Sequence, residues 1–240
     1  MSGASPGAPR RAARLPILLE DQWLVAIDKP AGLASVPSQG VAGRTCLSEL
    51  RASRPGAQAV HRLDRDVSGV MLFALDATTR VGLERQFRER ALEKVYLAVV
   101  AGAPRPAAGT IRKPIADLGA RAAIAGGRRR GRGRAAGAAA VTHYKVVEPL
   151  GPASLVEVRL ETGRYNQIRL HFAAIGHPLV GERKYARGRE SPVRFRRVAL
   201  HAWRLAFPHP LRGHRLEVEA PLPADLRALL ANAEAYAPER

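Results

Sequence analysis

The sequence predicts an α+β fold whose sheet is mixed and mostly antiparallel, with flanking helices and loops. Short strand patterns outnumber helical ones along the chain, and the two do not alternate regularly as a doubly wound parallel sheet requires. Hydrophobic residues make up 46% of the chain, which is enough for a packed core. No apolar run approaches the roughly 18 residues that a membrane span needs.

The amino-terminal half contains strand patterns on both sides of two helices. Residues 17–30 alternate in hydrophobicity around a turn at 20–22, which predicts two strands. Asp76 is a suitable N-cap for a longer helix whose inner side would carry Val81 and Phe87. After the first two strands, the predicted elements are a loop at 35–43, a short helix at 46–52, a buried strand at 70–75, a helix at 77–90 and a strand at 95–100.

The carboxyl-terminal half predicts further strands and two more helices. The first helix would carry Ile168, Phe172 and Ile175 on one stripe and stop at Gly176. In order, the predicted elements are strands at 141–147 and 155–160, a helix at 166–175, a strand around Leu216 and Val218, and a helix at 224–235 entered after Pro223.

Two basic segments fall outside these elements. Residues 1–16 have no continuous apolar stretch behind their arginines, so they predict a disordered basic leader and not a secretory signal. Residues 17–235 are then expected to form one domain. A basic loop at about 119–138 contains the tract 128–134, which is either a solvated loop or a clamp on phosphates.

The charge balance indicates a polyanionic partner. Thirty-nine Lys and Arg against 21 Asp and Glu give a formal net charge of +18, and a protein this basic typically binds nucleic acid. An arginine-rich composition would by itself give the same excess. The single cysteine, Cys46, is interpreted as a buried or incidental thiol; it excludes an internal disulfide and fits a cytoplasmic protein.

Metal and cofactor motifs are missing from the sequence. The spacing of His61, His171, His177 and His201 matches no recognised ligand set, and no carboxylate cluster joins them. No phosphate-binding glycine loop or dinucleotide fingerprint stands between a strand and a helix. We therefore expect neither a metal nor an organic cofactor.

The segment His-Arg-Leu-Asp-Arg-Asp-Val-Ser-Gly at 61–69 interleaves two arginines with two aspartates ahead of a buried strand. A carboxylate on such a loop, flanked by guanidinium groups, is favoured in its charged form, as a nucleophile or base requires. An exposed, salt-bridged turn would have the same local composition. The segment alone does not separate the two interpretations.

This segment resembles the HRLD-x-x-[TS]-SG signature of the RluA-type RNA pseudouridine synthases, and four further segments match that family in its order. They are DKPAGL at 28–33, EKVYLA at 93–98, TGRYNQIRLH at 162–171 and GHPLVGE at 176–182. Val67 stands where the family usually has Thr, and Asn166 where it usually has His. Neither departure touches Asp64, so we expect activity to survive.

The resemblance implies the pseudouridine synthase catalytic fold and a cofactor-free isomerisation in which uridine is detached at its glycosidic bond, turned and rejoined through carbon. It implies that Asp64 acts as nucleophile or base at the sugar and that Arg169 pairs with it. Tyr96 would lie against the flipped base, with Ile168 closing the apolar side and Arg62 helping to extrude the base. His61, Arg164 and Gln167 complete the implied substrate-binding set.

The implied partner is a structured RNA, either ribosomal or transfer RNA. No membrane and no obligate protein partner is expected, and the default is a cytoplasmic monomer. One rival function is a non-catalytic RNA-binding or ribosome-assembly factor on the same fold. A second is a nuclease holding Mg²⁺ on Asp64 and Asp66, but two aspartates among arginines are too few to bind the ion.

Overall fold

Glycine and proline turns divide the described part of the chain into short strands and four helices. The structure, a computed structural model, describes residues 15–37, 43–119, 122–125, 137–186, 188, 191 and 193–232. The strands are β1 (Ile17–Glu20), β2 (Leu24–Lys29), β3 (Gln58–Ala59), β4 (Ser68–Ala74), β5 (Glu93–Ala101), β6 (Ala108–Arg112), β7 (Ile115–Asp117), β8 (Ala122–Ile124), β9 (Val141–Leu150), β10 (Ala153–Leu160), β11 (Leu200–Pro208) and β12 (Arg215–Glu219). The helices are α1 (Cys46–Arg51), α2 (Ala77–Glu89), α3 (Gln167–Ala174) and α4 (Ala224–Ala231).

One mixed sheet organises the fold, with the strand order β1-β2-β4-β11-β5-β10-β9-β6. β12 pairs with β11 and β3 pairs with β4 beside this path, while β7 and β8 form a separate hairpin. Within the described residues, β4 and β11 are the parallel pair of strands and the other strand pairs are antiparallel. The predicted α+β class with a mostly antiparallel sheet is therefore confirmed.

The parallel contact between β4 and β11 depends on a glycine. Gly69 has a φ of +114°, and a Cβ atom there would lie 2.1 Å from the carbonyl oxygen of Ala202. Only glycine permits both this backbone conformation and so close an approach. The start of β4 consequently lies beside the start of β11, although the two strands are far apart in the sequence.

Strand alternation divides the core between the two faces of the sheet. Val25 and Ile27 of β2 pack on the face that carries α1 and α3. Leu24 and Ala26 pack on the opposite face, which carries α2. Tyr96 and Ile168, two of the predicted site residues, pack on the α1 and α3 face.

Helix α2 begins as predicted, because the Asp76 carboxylate accepts a hydrogen bond from the backbone N–H of Thr79. The prediction that Val81 faces inward is wrong, since its exposure is 59%. Val81 and Phe87 are six residues apart, about 240° around the helix axis, so they cannot share one face. The buried residues of α2 are Thr79, Leu83 and Gln86.

The other predicted elements are confirmed with shifted ends. The last helix ends at Ala231 with Asn232 as its C-cap, earlier than predicted, and residues 233–235 lie outside the described part. The predicted leader includes Leu15 and Pro16, but Leu15 packs against the core and the carbonyl of Pro16 accepts a hydrogen bond from the backbone N–H of Asp28. The predicted leader residues 1–14 and the residues 38–42 of the predicted loop also lie outside the described residues.

Five of the described strands have no clear pattern in the sequence and were not predicted: β3, β6, β7, β8 and β11. Strand β11 is central to the sheet, and its residues are buried on both faces, so the sequence shows no strand alternation. The predicted basic loop at 119–138 is partly regular, because β8 pairs with β7 and Ala138 bridges to Ile115. The arginine tract 128–134 lies outside the described residues.

Among the residues that the structure describes, no helix is long and apolar enough to cross a membrane.

Candidate active site

The Asp64 loop, defined as residues 62–67, is held in place through its backbone. The Ser35 hydroxyl donates to the carbonyl of Leu63 and accepts from its N–H. The fully buried Lys29 donates from Nζ to the carbonyls of Arg65 and Val67, at 3.1 and 2.7 Å. Burial lowers the pKa of Lys29 to about 8. The DKPAGL segment therefore supports the loop from beneath.

Arg169, on the first turn of α3, faces the Asp64 carboxylate. Its Nη1 donates to Asp64 Oδ2 at 3.3 Å, and the two side chains are 14% and 24% exposed. The carboxylate is thus accessible from one side while a guanidinium orients it from the other. The predicted pairing of Asp64 with Arg169 is present.

The same guanidinium is fixed by Glu182, which sequence analysis did not single out. Nε and Nη2 of Arg169 donate to the two carboxylate oxygens of Glu182 at 2.6 and 2.9 Å, and the Glu182 side chain is fully buried. Burial alone would raise the pKa of Glu182, but hydrogen bonds from Arg169 and from the N–H groups of Lys184 and Tyr185 outweigh it and lower the pKa. We call Asp64–Arg169–Glu182 the buried ion-pair chain.

Asn166 and Tyr185 complete the surroundings of Arg169. Asn166 Oδ1 accepts from Arg169 Nη1 at 3.2 Å, and its Nδ2 lies 2.8 Å from the Tyr185 hydroxyl, to which it donates. The guanidinium carbon also lies 5.3 Å from the Tyr185 ring centroid, a cation–π geometry. Asn166 has a φ of +55°, a conformation that asparagine tolerates better than most residues.

A cleft of about 710 Å³ opens onto Asp64. Tyr96 of β5 and Ile168 of α3 line it, and Arg62 and Arg164 stand at exposed positions of its lining. Burial, and then the charge of Asp64, raises the pKa of Tyr96 to about 12, so the phenol keeps its proton at neutral pH. The cleft combines an apolar wall, a protonated hydroxyl and an oriented carboxylate.

Two of the predicted substrate-binding residues, Gln167 and His61, make hydrogen bonds within the protein. The Gln167 side chain is buried and lies in the lining of the cleft. Its amide donates to Val141 and Thr142 and accepts from Thr162 and Arg164, so it joins the start of β9 to residues 162–164. His61 is not among the cleft-lining residues. Its Nε2 accepts from the N–H of Leu72, and its ring stacks on Phe87.

The departures from the family signature fit this environment. Val67 is buried in the core on the α1 and α3 face, where a methyl group replaces the hydroxyl of threonine without leaving a donor unpaired.

Cys46 is also buried, as predicted, and burial raises the pKa of its thiol to about 11. Within the described residues, no group of three His, Cys, Asp or Glu side chains is placed to hold a metal ion.

Residues 23–174 match the family described as RNA pseudouridylate synthase. The match covers more than half of the chain and includes Asp64, Tyr96 and Arg169. The chain therefore belongs to the RNA pseudouridylate synthase family, whose members are isomerases.

Individual relatives agree with this assignment. The chain is 35% identical over 237 residues to ribosomal large subunit pseudouridine synthase D of Zymomonas mobilis, covering 90% of this chain and 71% of the relative. It is 38% identical over 234 residues to the protein of the same name from Pseudomonas aeruginosa, with the same coverage. An RNA pseudouridine synthase of Mycobacterium bovis that is named as uncharacterised is 40% identical over 232 residues, which is 89% of this chain and 71% of that protein.

Solved structures share the fold. Human RNA pseudouridylate synthase domain containing 1 superposes with a TM-score of 0.73 at 27% identity, over 94% of this chain and 90% of that chain. Human RNA pseudouridylate synthase domain containing 4 gives the same TM-score at 26% identity, over 91% and 92%. The pseudouridine synthase fold predicted from the motifs is confirmed.

Proposed function

We propose that this chain converts specific uridines of large-subunit ribosomal RNA to pseudouridine, with Asp64 as the group that acts at the sugar. The observation that carries this proposal is the buried ion-pair chain, which orients one accessible carboxylate at the cleft. The names of the relatives favour ribosomal RNA. Transfer RNA is the other substrate that the family resemblance allows.

The reaction needs a group at the sugar and a pocket that retains the detached base. Asp64 supplies the carboxylate, as nucleophile or as base, and Arg169 orients it. Tyr96 lies against the base, with its protonated hydroxyl as a polar handle, and Ile168 closes the apolar side. Because no electrons are transferred and no energy carrier is consumed, these side chains suffice without a cofactor.

The target uridine reaches Asp64 by flipping out of a structured RNA. Arg62 stands at the cleft, where it can take the position of the extruded base or hold the flipped phosphate. A second cavity of about 850 Å³, which we call the basic groove, is lined by the exposed Arg183, Arg194 and Arg196. It adjoins Glu182, so an RNA whose phosphates lie in it would pass close to the cleft.

The remaining expectations belong to the same proposal. Residues 17–235 act as the catalytic domain, the enzyme works as a cytoplasmic monomer, and it needs no protein partner. Gel filtration with light scattering checks the monomer, which a dimeric mass would contradict.

The arginine tract 128–134 is either a phosphate clamp or a solvated loop. Deleting residues 126–133 should flatten the salt dependence of the Michaelis constant if the tract is a clamp, and should leave it unchanged if the tract is a solvated loop.

Mapping pseudouridine in cellular RNA tests the proposed function. Carbodiimide-dependent primer extension on ribosomal and transfer RNA would compare wild type, a deletion strain, and the deletion strain carrying Asp64→Ala. We expect marks in large-subunit ribosomal RNA to vanish on deletion and not to return with Asp64→Ala. Marks lost only from transfer RNA would mean that transfer RNA is the substrate. Restoration of the marks by Asp64→Ala would refute the role of Asp64. If deletion removes no mark, the non-catalytic RNA-binding factor is favoured.

A further inference from the structure

A second buried cation lies under the Asp64 loop. Arg197, just before β11, is 9% exposed, and each nitrogen of its guanidinium donates hydrogen bonds. Nη1 donates to the backbone carbonyl of Asp66 at 3.1 Å and to those of Val198 and Leu200 at 3.2 Å each. One of these carbonyls belongs to the Asp64 loop, and Leu200 lines the cleft.

The bond to Asp66 acts on a closed turn. The N–H of Val67 donates to the carbonyl of Asp64 at 3.1 Å, so residues 64–67 form one hydrogen-bonded unit. Lys29 holds the carbonyls of Arg65 and Val67 in the same unit. Arg197 holds the carbonyl between them, and a shift of Asp66 would therefore be transmitted to Asp64.

Arg197 is itself fixed by helix α4. Its Nε and Nη2 donate to the two carboxylate oxygens of Asp225 at 2.7 and 3.0 Å, a bidentate pair on the first turn of the helix. Nη2 also approaches the Ser68 hydroxyl at 3.3 Å, and that hydroxyl is hydrogen-bonded to buried His201. The network thus runs from the carboxyl-terminal helix to the loop that carries Asp64.

We propose that Arg197 is a positioning residue for the isomerisation, and that Asp225 on α4 keeps it aligned. Both residues lie beyond residues 23–174 that match the family. A guanidinium suits this task because its planar fork meets the Asp225 carboxylate on one edge while Nη1 remains directed at the backbone carbonyls. The inference rests on the proposed function, since it assumes that Asp64 performs the chemistry.

Single-turnover kinetics on a ribosomal RNA transcript separates positioning from simple stabilisation. The maximal rate, the half-saturating enzyme concentration and the urea unfolding midpoint would be measured for Arg197→Gln, Arg197→Lys and Asp225→Ala. Arg54→Gln is the matched control, because Arg54 makes a similar bidentate pair with Glu20 on the edge strand β1. Asp64→Asn is included to test the proposed function independently.

We expect Arg197→Gln to lower the maximal rate roughly 10- to 100-fold, with half-saturation changed less than about threefold, because misplacing a catalytic group by about 1 Å has effects of this size. Arg197→Lys should recover part of the rate, Asp225→Ala should lower it about threefold to tenfold, and Arg54→Gln should leave it unchanged. If Arg197→Gln does not fold, the maximal rate of Asp225→Ala tests the proposal instead.

Three outcomes would overturn the proposal: an unchanged rate in Arg197→Gln (or in Asp225→Ala, where Arg197→Gln does not fold), a loss confined to half-saturation, or an equal loss in Arg54→Gln. An inactive Asp64→Asn beside a fully active Arg197→Gln would refute only the role of Arg197. An active Asp64→Asn would refute the proposed function instead, so the two failures are distinguishable.

Discussion

The buried ion-pair chain and the basic groove both depend on arginine, but the surroundings of their arginines are opposite. Arg169 is 14% exposed and bound to two carboxylates. Arg183, Arg194 and Arg196 are exposed, and none forms an ion pair with another residue that the structure describes. A paired, buried guanidinium holds one geometry, whereas an exposed one can follow a flexible polyanion. Under the proposed function, pairing and burial, and not charge alone, distinguish an arginine that orients Asp64 from arginines that bind RNA.

Replacing Arg169 should have the largest effect that separates the two regions. Arg169→Lys keeps the charge but cannot bind Glu182 bidentately while also reaching Asp64. We expect kcat to fall about 100-fold, with the Michaelis constant for RNA changed less than about threefold. Steady-state kinetics checks this, with Arg159→Lys, a half-exposed surface arginine, as the control. A loss confined to the Michaelis constant would mean that Arg169 acts in binding, as proposed for the arginines of the basic groove.

Replacing Glu182 should show that the ion-pair chain also stabilises the fold. Glu182→Gln leaves the largely buried Arg169 with Asp64 as its one charged partner among the residues that the structure describes. Breaking a buried pair typically destabilises by about 3 kcal/mol. Urea unfolding measures the free energy of unfolding, with Glu157→Gln as the control at a partly exposed surface pair, expected within about 0.5 kcal/mol of wild type. Equal effects of the two variants would mean that burial of the pair has no energetic consequence.

Replacing groove arginines should affect binding and spare the chemistry. The double variant Arg194→Gln/Arg196→Gln should raise the Michaelis constant about tenfold at unchanged kcat, and should reduce the slope of log affinity against log salt by about 1.5. Arg85→Gln/Arg88→Gln removes the same charge from α2, which packs on the opposite face of the sheet. If both double variants weaken binding equally, net charge and not the groove attracts the RNA.

His61 gives the smallest predicted effect, and it acts through folding. Burial, and then the charge of Lys94, lowers the pKa of His61 to about 4 from 6.5. Below pH 6.5 the unfolded chain binds a proton that the folded protein does not, so stability is present above pH 6.5 and falls as the pH approaches 4. We expect a loss of about 1 kcal/mol between pH 7 and 5.5 from this group.

His61→Gln keeps an acceptor for the N–H of Leu72 and removes the titration. Urea unfolding of wild type and His61→Gln at pH 7 and 5.5 isolates the histidine, because other titrating groups contribute equally to both. Between pH 7 and 5.5, the unfolding free energy of wild type should fall by more than that of His61→Gln. A difference that does not change with pH would contradict the assignment.

The sequence was most informative where the site residues and the element that carries them lie within one short segment. The Asp64 loop, β5 with Tyr96 and α3 with Arg169 each lie within one short segment, so their motifs and strand or helix boundaries could be predicted. Glu182 could not be assigned a partner, because only the tertiary approach of residues 181–185 to α3 brings it to Arg169. The same limit hid the Arg197 network, which spans the chain from Asp66 to Asp225.

The predicted substrate contacts show a related limit. A motif gives the identity of a residue but not the direction of its side chain. Gln167 lies in the same motif as Arg169, yet its amide is used entirely by residues 141, 142, 162 and 164. His61 precedes Arg62 but turns toward β4 and α2. Such roles depend on packing between segments that local sequence does not encode.

The central claim is that a carboxylate at Asp64, oriented by Arg169, performs the isomerisation. The most direct test is the single-turnover conversion of uridine by purified Asp64→Asn on a ribosomal RNA transcript, with RNA affinity measured in parallel. Asparagine keeps the size of the side chain and an oxygen for Arg169, so RNA affinity should stay within about threefold while conversion falls about 10⁴-fold or more. Conversion within about tenfold of wild type, at equal RNA affinity, would contradict the account.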